Sequence, residues 1–240
     1  MARTCTPMRG RGTYMKVVVI APHPDDEVLG CGGTIAKHTS QGDDVYVVIV
    51  TKGGEPLFSD ELVKQVREEC RKADELLGVK KTIFMDFPAV MLEEVPRYRL
   101  NEAFIRLIGD IKPDIVYLPH RGDMQLDHKM TVDAAMVALR PKYKHMVKRI
   151  YAYETLSETG WDVPNVINEF IPTSYNEIDG FIEKKIEAMK IFKSQLAEYP
   201  NARSVESIRA LAVYRGTTVG VKAAEAFILL REIQGLENFL

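Results

Sequence analysis

KVVVIAPHPDDE, residues 16–27, decides the fold: a buried-strand pattern runs straight into a histidine and three acids. Val17, Val18, Val19 and Ile20 are β-branched and leave no polar face, as in a strand covered on both sides of a parallel sheet. His23, Asp25, Asp26 and Glu27 then stand where the strand ends. In an open α/β sheet that carboxyl end, beside the point where the strand order reverses, is where ligands sit. A helix N-cap accounts for one of these acids. It does not account for the histidine and the whole cluster.

Further short β-branched runs follow at Tyr46–Val50, Thr82–Phe87, Ile115–Pro119 and Arg149–Glu154. Helical spacing separates them: Leu62, Val66, Cys70, Ala73 and Leu77 repeat within residues 60–77, and Gly78 follows as a C-cap. Leu100–Ile111 and Thr131–Leu139 read the same way, and from Tyr175 the pattern becomes largely helical, with one apolar stripe from Ile178 to Phe192. Alternating βα units predict an α/β fold, a Rossmann-like three-layer sandwich with a mainly parallel sheet and a C-terminal elaboration. At 240 residues one domain is expected over 15–240, a core over 15–156 and a cap over 157–240, with Trp161–Tyr175 as the seam. Residues 1–14 are basic without an apolar stretch, and read as a disordered tail rather than a secretory signal.

His23 and Asp26 are three apart, so a tight turn into a helix can aim both at one point. A mixed imidazole and carboxylate set suits Zn²⁺, or another divalent ion such as Fe²⁺. Asp25 lies between them, points differently, and is free to act on a water. A second cluster, His120-Arg121-Gly122-Asp123-Met124-Gln125-Leu126-Asp127-His128, follows the fourth strand. In the usual strand order 3-2-1-4-5 the first and fourth strands are neighbours, so the two clusters face each other. His128, at the start of the next helix, can then supply a third ligand, and three ligands with one open position is the catalytic arrangement for zinc.

With these residues in view, the chain resembles the LmbE/PIG-L family of zinc deacetylases, which act on N-acetylglucosaminyl conjugates. The family's A-H-P-D-D-E hallmark matches PHPDDE after Ala21, and its later Asp-His pair matches Asp127-His128. Thr51–Glu55, Leu76–Val79, Phe170–Gln195, Arg215-Gly216 and Ala224–Phe227 extend the resemblance over most of the chain from Met15. The resemblance implies His23, Asp26 and His128 as metal ligands and Asp25 as general base. One position departs: many relatives have a histidine two residues before the Asp of that pair, where this chain has Gln125. A neutral amide donates a hydrogen bond to an oxyanion but no proton. Protonation of the leaving amine would then fall to Asp25 or to His120.

The expected reaction is metal-assisted hydrolysis of an N-acetyl or other N-acyl group on a small-molecule amino-sugar conjugate. A different amide, as in a thiol conjugate or an antibiotic precursor, is the first alternative, and a non-catalytic metal- or sugar-binding module the second. Arg67 sits on the polar side of a charged helix and reads as a solvated ion pair or as a contact to substrate hydroxyls; Arg215 is a second candidate for the substrate pocket. Asp123 and Asp127 are expected to orient the ligands rather than to bind metal. Gly30-Cys31-Gly32-Gly33 invites a dinucleotide reading, which fails on position and charge: the glycines come a helical turn after the strand, behind carboxylates that would repel a pyrophosphate.

A formal net charge of −2 gives no electrostatic case for nucleic acid or an anionic membrane, and no apolar run approaches the length of a membrane span. Cys5, Cys31 and Cys70 form no CxxC pair, which points to a reducing, cytoplasmic setting. Assembly into a homo-oligomer is left open by the sequence.

Overall fold

The computed structural model describes residues 14–142 and 145–235. The expected tail falls outside this range apart from the exposed Tyr14, and Cys5 lies outside it as well. Five parallel strands, β1 (Lys16–Ala21), β2 (Asp44–Lys52), β3 (Lys81–Pro88), β4 (Ile115–Pro119) and β5 (Arg149–Tyr153), are extended by β7 (Ala224–Glu232), antiparallel to β5, and by β6 (Ser174–Glu177), antiparallel to β7. The sheet order is β3-β2-β1-β4-β5-β7-β6, so the order reverses between β1 and β4.

Period-two alternation explains why β1 is apolar throughout. Val17, Val19 and Ala21 pack into one core, and Val18 and Ile20 into the other. On the first face lie α1 (Asp26–Ser40), α2 (Asp60–Leu77), α5 (Ile182–Ile191) and α6 (Val205–Thr217); on the second lie α3 (Arg97–Ile111) and α4 (Leu126–Ala138). This is the expected three-layer α/β sandwich. Each side chain from Val17 to Ile20 is fully buried, which contributes about 1.5–3 kcal/mol apiece over an exposed one. Ser59 caps α2 by accepting from the Leu62 N–H at 3.3 Å, and Gly78 ends it in the left-handed region at φ 86°.

The helical reading from Tyr175 needs correction. Ser174–Glu177 is an edge strand paired with β7, and the helix begins at Ile182. A four-residue polar edge strand carries no apolar run for periodicity to detect. The stripe itself is core: Ile178, Ile182, Ile186, Met189 and Phe192 are all buried. Strand β7 meets β5 antiparallel, so the chain beyond residue 157 widens the same sheet while α5 and α6 cover it.

The glycines of α1 serve close packing. A Cβ on Gly30 would stand 2.2 Å from the Tyr153 ring, whose hydroxyl donates to the Ile20 carbonyl at 2.9 Å. A Cβ on Gly33 would meet Ile178 at 2.7 Å. Helix α1 can therefore lie against β5 and the start of α5, bringing its N-terminus onto the sheet's switch point.

Candidate active site

β1 ends at Ala21 and α1 begins at Asp26, so Pro22 to Asp25 make the turn. Asp25 takes φ 112°, a left-handed conformation that costs a non-glycine residue roughly 1–3 kcal/mol. Three backbone hydrogen bonds hold it there. Its N–H donates to Glu27 Oε2 at 3.0 Å, and its carbonyl accepts from the N–H groups of Val28 and Leu29 at 3.0 and 2.9 Å. With Asp25 left-handed and Asp26 helical, the two adjacent carboxylates diverge. Asp26 Oδ2 turns back to accept from the His23 N–H at 3.0 Å.

Across the switch point, Gln125 forms the N-cap of α4 and its carbonyl accepts from the His128 N–H at 3.2 Å. The first turn of α4 thereby places His128 beside the β1 turn. Ligand atoms of His23, Asp26 and His128 lie within 4.8 Å of one another. Asp26 Oδ2 is 3.3 Å from His23 Nδ1 and 3.3 Å from His128 Nε2. The far nitrogen of each ring is held by a carboxylate: His23 Nε2 by Asp127 at 3.0 Å, and His128 Nδ1 by Asp123 at 2.8 Å. Asp127 also accepts from the Val90 N–H at 2.7 Å, and Asp123 from the Thr159 hydroxyl at 2.6 Å.

These contacts set the local charges. Burial works against the charged form of His23, yet Asp127 and Asp26 outweigh it and raise the ring to about 9. Burial likewise opposes charge on His128, but Asp26 and Asp123 lift it to about 10. Asp26 is buried too, and the two imidazoles hold its carboxyl well below the usual carboxylate range. Asp25 goes the other way. Burial raises it, Arg203 lowers it and Asp26 raises it again, to about 7.

A divalent ion fits this donor set. Both carboxyl oxygens of Asp25 and Nε2 of His128 are buried without a hydrogen-bond partner, as is Oε1 of Gln125. Two imidazoles and a carboxylate converge with their far sides already anchored, the arrangement that fixes ring orientation around a bound metal. In a metal-free polar core such orphaned atoms cost about 1–3 kcal/mol each.

The cluster opens into a cavity of about 260 Å³ whose lining includes His23, Asp25, Gln125, Arg67 and Arg203. Arg67 lies on its wall with its guanidinium 4.5 Å above the Phe84 ring and paired with Asp86. His120 and Arg215 are not brought to it. His120 faces the Asn168 carbonyl at 3.0 Å and packs edge-on against Phe170, holding a loop. Arg215 pairs with Glu154 through two contacts of 2.8 and 2.6 Å, with its head over Phe170 and Tyr214. His38 is tied to Asp43 at 2.7 Å and to Tyr117 at 3.2 Å, and His145 to the Pro113 carbonyl at 2.6 Å.

Among the lining residues that the sequence reading left out of the site are Lys52 at the end of β2, and Gln195 and Arg203 from the loop between α5 and α6. Arg203 Nε stands 3.4 Å from Asp25 Oδ2, and its Nη1 donates to Gln195 Oε1 at 3.2 Å. No local motif marks an arginine so far along the chain as a neighbour of Asp25.

Comparison with known proteins gives the family and the fold. The PIG-L family, described as GlcNAc-PI de-N-acetylase, matches residues 18–139. A diacetylchitobiose deacetylase of Thermococcus kodakarensis is 29% identical over 226 residues, covering 88% of this chain and 81% of that protein. A probable N-acetyl-alpha-D-glucosaminyl L-malate deacetylase 2 of Bacillus anthracis is 28% identical, covering 75% of this chain and 81% of that protein. The solved N,N'-diacetylchitobiose deacetylase of Pyrococcus horikoshii superposes with a TM-score of 0.73 at 24% identity, covering 95% of this chain and 90% of that one, which shows the shared fold.

Proposed function

Because the chain belongs to the PIG-L family, we propose that it is an N-deacetylase that hydrolyses the N-acetyl group of an N-acetylglucosamine-type conjugate. One observation carries the reading: a strained carboxylate without a hydrogen-bond partner, Asp25, lies beside three converging metal-ligand atoms at the edge of a cavity. A divalent ion held by His23, Asp26 and His128, zinc foremost and Fe²⁺ as the other fit, would supply a water of lowered pKa and polarise the acyl carbonyl.

The chain's own groups do the rest. Asp25, raised to about 7 by burial, is close to the pKa that suits a base near neutral pH, and accepts the proton of the attacking water. Its left-handed backbone keeps its carboxylate apart from that of Asp26. Gln125 offers its side-chain amide from the opposite wall, where the NH₂ donates to the carbonyl oxygen as negative charge builds there. His120 is occupied with the Asn168 carbonyl and does not line the cavity, so Asp25 hands its proton to the departing amine. Acetate and a free amino sugar result. Arg67 is placed to touch the sugar or its substituent.

The test is a panel of N-acetylglucosamine conjugates assayed for free amine, with elemental analysis of the purified protein. Amine release that stops with a chelator and returns with zinc is expected. A protein with full metal occupancy that releases no amine from any conjugate would overturn the reading.

A further inference from the structure

A second cavity, of about 260 Å³, opens at the amino ends of β4 and β5, and none of its lining residues lines the cavity beside the candidate metal cluster. Helix α1 connects the two. Asp26 opens that helix at the cluster, while Lys37 and His38 in its last turn line the second cavity, roughly 18 Å further along the axis. The far wall is fixed by its own contacts. Asn176 donates to the Thr34 hydroxyl at 3.1 Å, and His38 is held by Asp43 at 2.7 Å while its other nitrogen meets the Tyr117 hydroxyl at 3.2 Å. Tyr151 stacks on Tyr117 with ring centres 5.3 Å apart, and Phe227 packs beside both. Side chains tied in this way hold the space open.

The charges around this space are unequal. Among the described residues no carboxylate lines it, against Lys37, His38 and Arg149. Lys37 is taken up by Glu177, donating to its carbonyl at 2.6 Å and its carboxylate at 3.4 Å. Arg149, at the start of β5, is half-buried, and its guanidinium has one hydrogen bond among the described residues, to the Met15 sulfur at 3.6 Å, a weak acceptor. Glu232 stands opposite on β7, but it is exposed, and no ion pair joins the two among the described residues. A guanidinium carries five N–H donors in a planar fork that matches a carboxylate. Arg149 and Tyr151 are two apart on β5 and so share a face. We propose that this cavity is a second ligand site, taking a small organic carboxylate whose anionic end pairs with Arg149 and whose body lies against the Tyr151 ring. A volume just under the roughly 300–1,000 Å³ of drug-sized sites limits the guest to a small molecule. Such a site stands whether or not the chain hydrolyses an amide.

Calorimetric titration of the intact protein at low salt tests this with benzoate, 4-hydroxybenzoate and the neutral 4-hydroxybenzamide. At least one acid should bind, and the amide should bind roughly tenfold more weakly or worse, the scale of a hydrogen bond to a charged group. Arg149→Met should cost the acid a similar factor. Ser174 lines the cavity at the start of β6, so Ser174→Phe fills the space while leaving Arg149 in place, and it should remove binding as well. Loss in both variants, with melting temperatures near the parent's, separates a lost site from a misfolded chain. Arg67→Met, in the other cavity, should leave the affinity unchanged. Binding of neither acid, an amide that binds as tightly as its acid, an affinity that survives in either Arg149→Met or Ser174→Phe, or one that is lost in Arg67→Met would overturn the proposal.

Discussion

Arg203 places its guanidinium nitrogen Nε 3.4 Å from Oδ2 of Asp25, so a loop near the C-terminal end of the chain sets the charge environment of a carboxylate on the first strand-to-helix turn. Asp25 is buried with Asp26 next to it, and both favour its neutral form. Arg203 is the counterweight. The carboxylate proposed as the base sits between these two influences.

That balance predicts a pH profile. Asp25 acts as a base only when ionised, so kcat/KM should rise with pH along an acidic limb. Without metal its carboxyl lies at about 7, and a bound cation would lower it further, placing the limb below 7 in the loaded protein. Arg203→Gln removes a positive neighbour, which favours the protonated acid and should move the limb to higher pH. A limb that stays in place would detach Arg203 from the base.

Replacing Asp25 by Asn keeps a side chain that tolerates the left-handed backbone but cannot accept the proton. Turnover should fall by roughly two to four orders of magnitude, with metal content by elemental analysis unchanged. Full activity in this variant would remove Asp25 from the mechanism.

Asp123 and Asp127 each fix the far nitrogen of one imidazole. Asp123→Asn should weaken metal binding about 10- to 100-fold, read by competition against a chelator of known affinity. An unchanged affinity would mean that packing alone orients His128.

Lys185 and Glu225 form a buried ion pair at 2.6 Å that ties α5 and β7 to α1, where Glu225 also accepts from the N–H groups of Gly33 and Thr34. Lys185→Met leaves that charge unpaired and should cost about 3–5 kcal/mol of stability, measured by denaturant unfolding. A loss within a few tenths of a kcal/mol would show that the backbone donors alone satisfy Glu225.

Asp74 is buried on α2, which raises its carboxyl to about 7 although the Thr82 hydroxyl and Cys70 thiol pull it down. A carboxyl with a raised folded pKa binds its proton more tightly folded than unfolded. Its effect is therefore neutral below the unfolded value near 3.8 and destabilising as pH climbs through about 7. Asp74→Asn should gain stability on going from pH 5 to pH 8, by a few kcal/mol at most. A variant whose melting temperature, relative to the parent, does not change with pH would contradict this.

The sequence by itself determined the sheet's parallel half and the candidate metal cluster, because both are written locally. Continuous β-branched runs need covering on two faces, helical spacing supplies the cover, and His23, Asp26 and His128 stand at the ends of the two strands that flank the order reversal. It missed the edge strand Ser174–Glu177, which is too short and polar to show a period, and β7, Ala224–Glu232, which it read within a largely helical stretch. It could not say that His120 turns to Asn168, that Arg215 locks onto Glu154, or that Arg203 reaches Asp25. Those are choices of side-chain partner between segments distant along the chain. Charge and burial decide them only once the helices have packed, so tertiary structure alone settles which of several arginines and histidines meets the cavity.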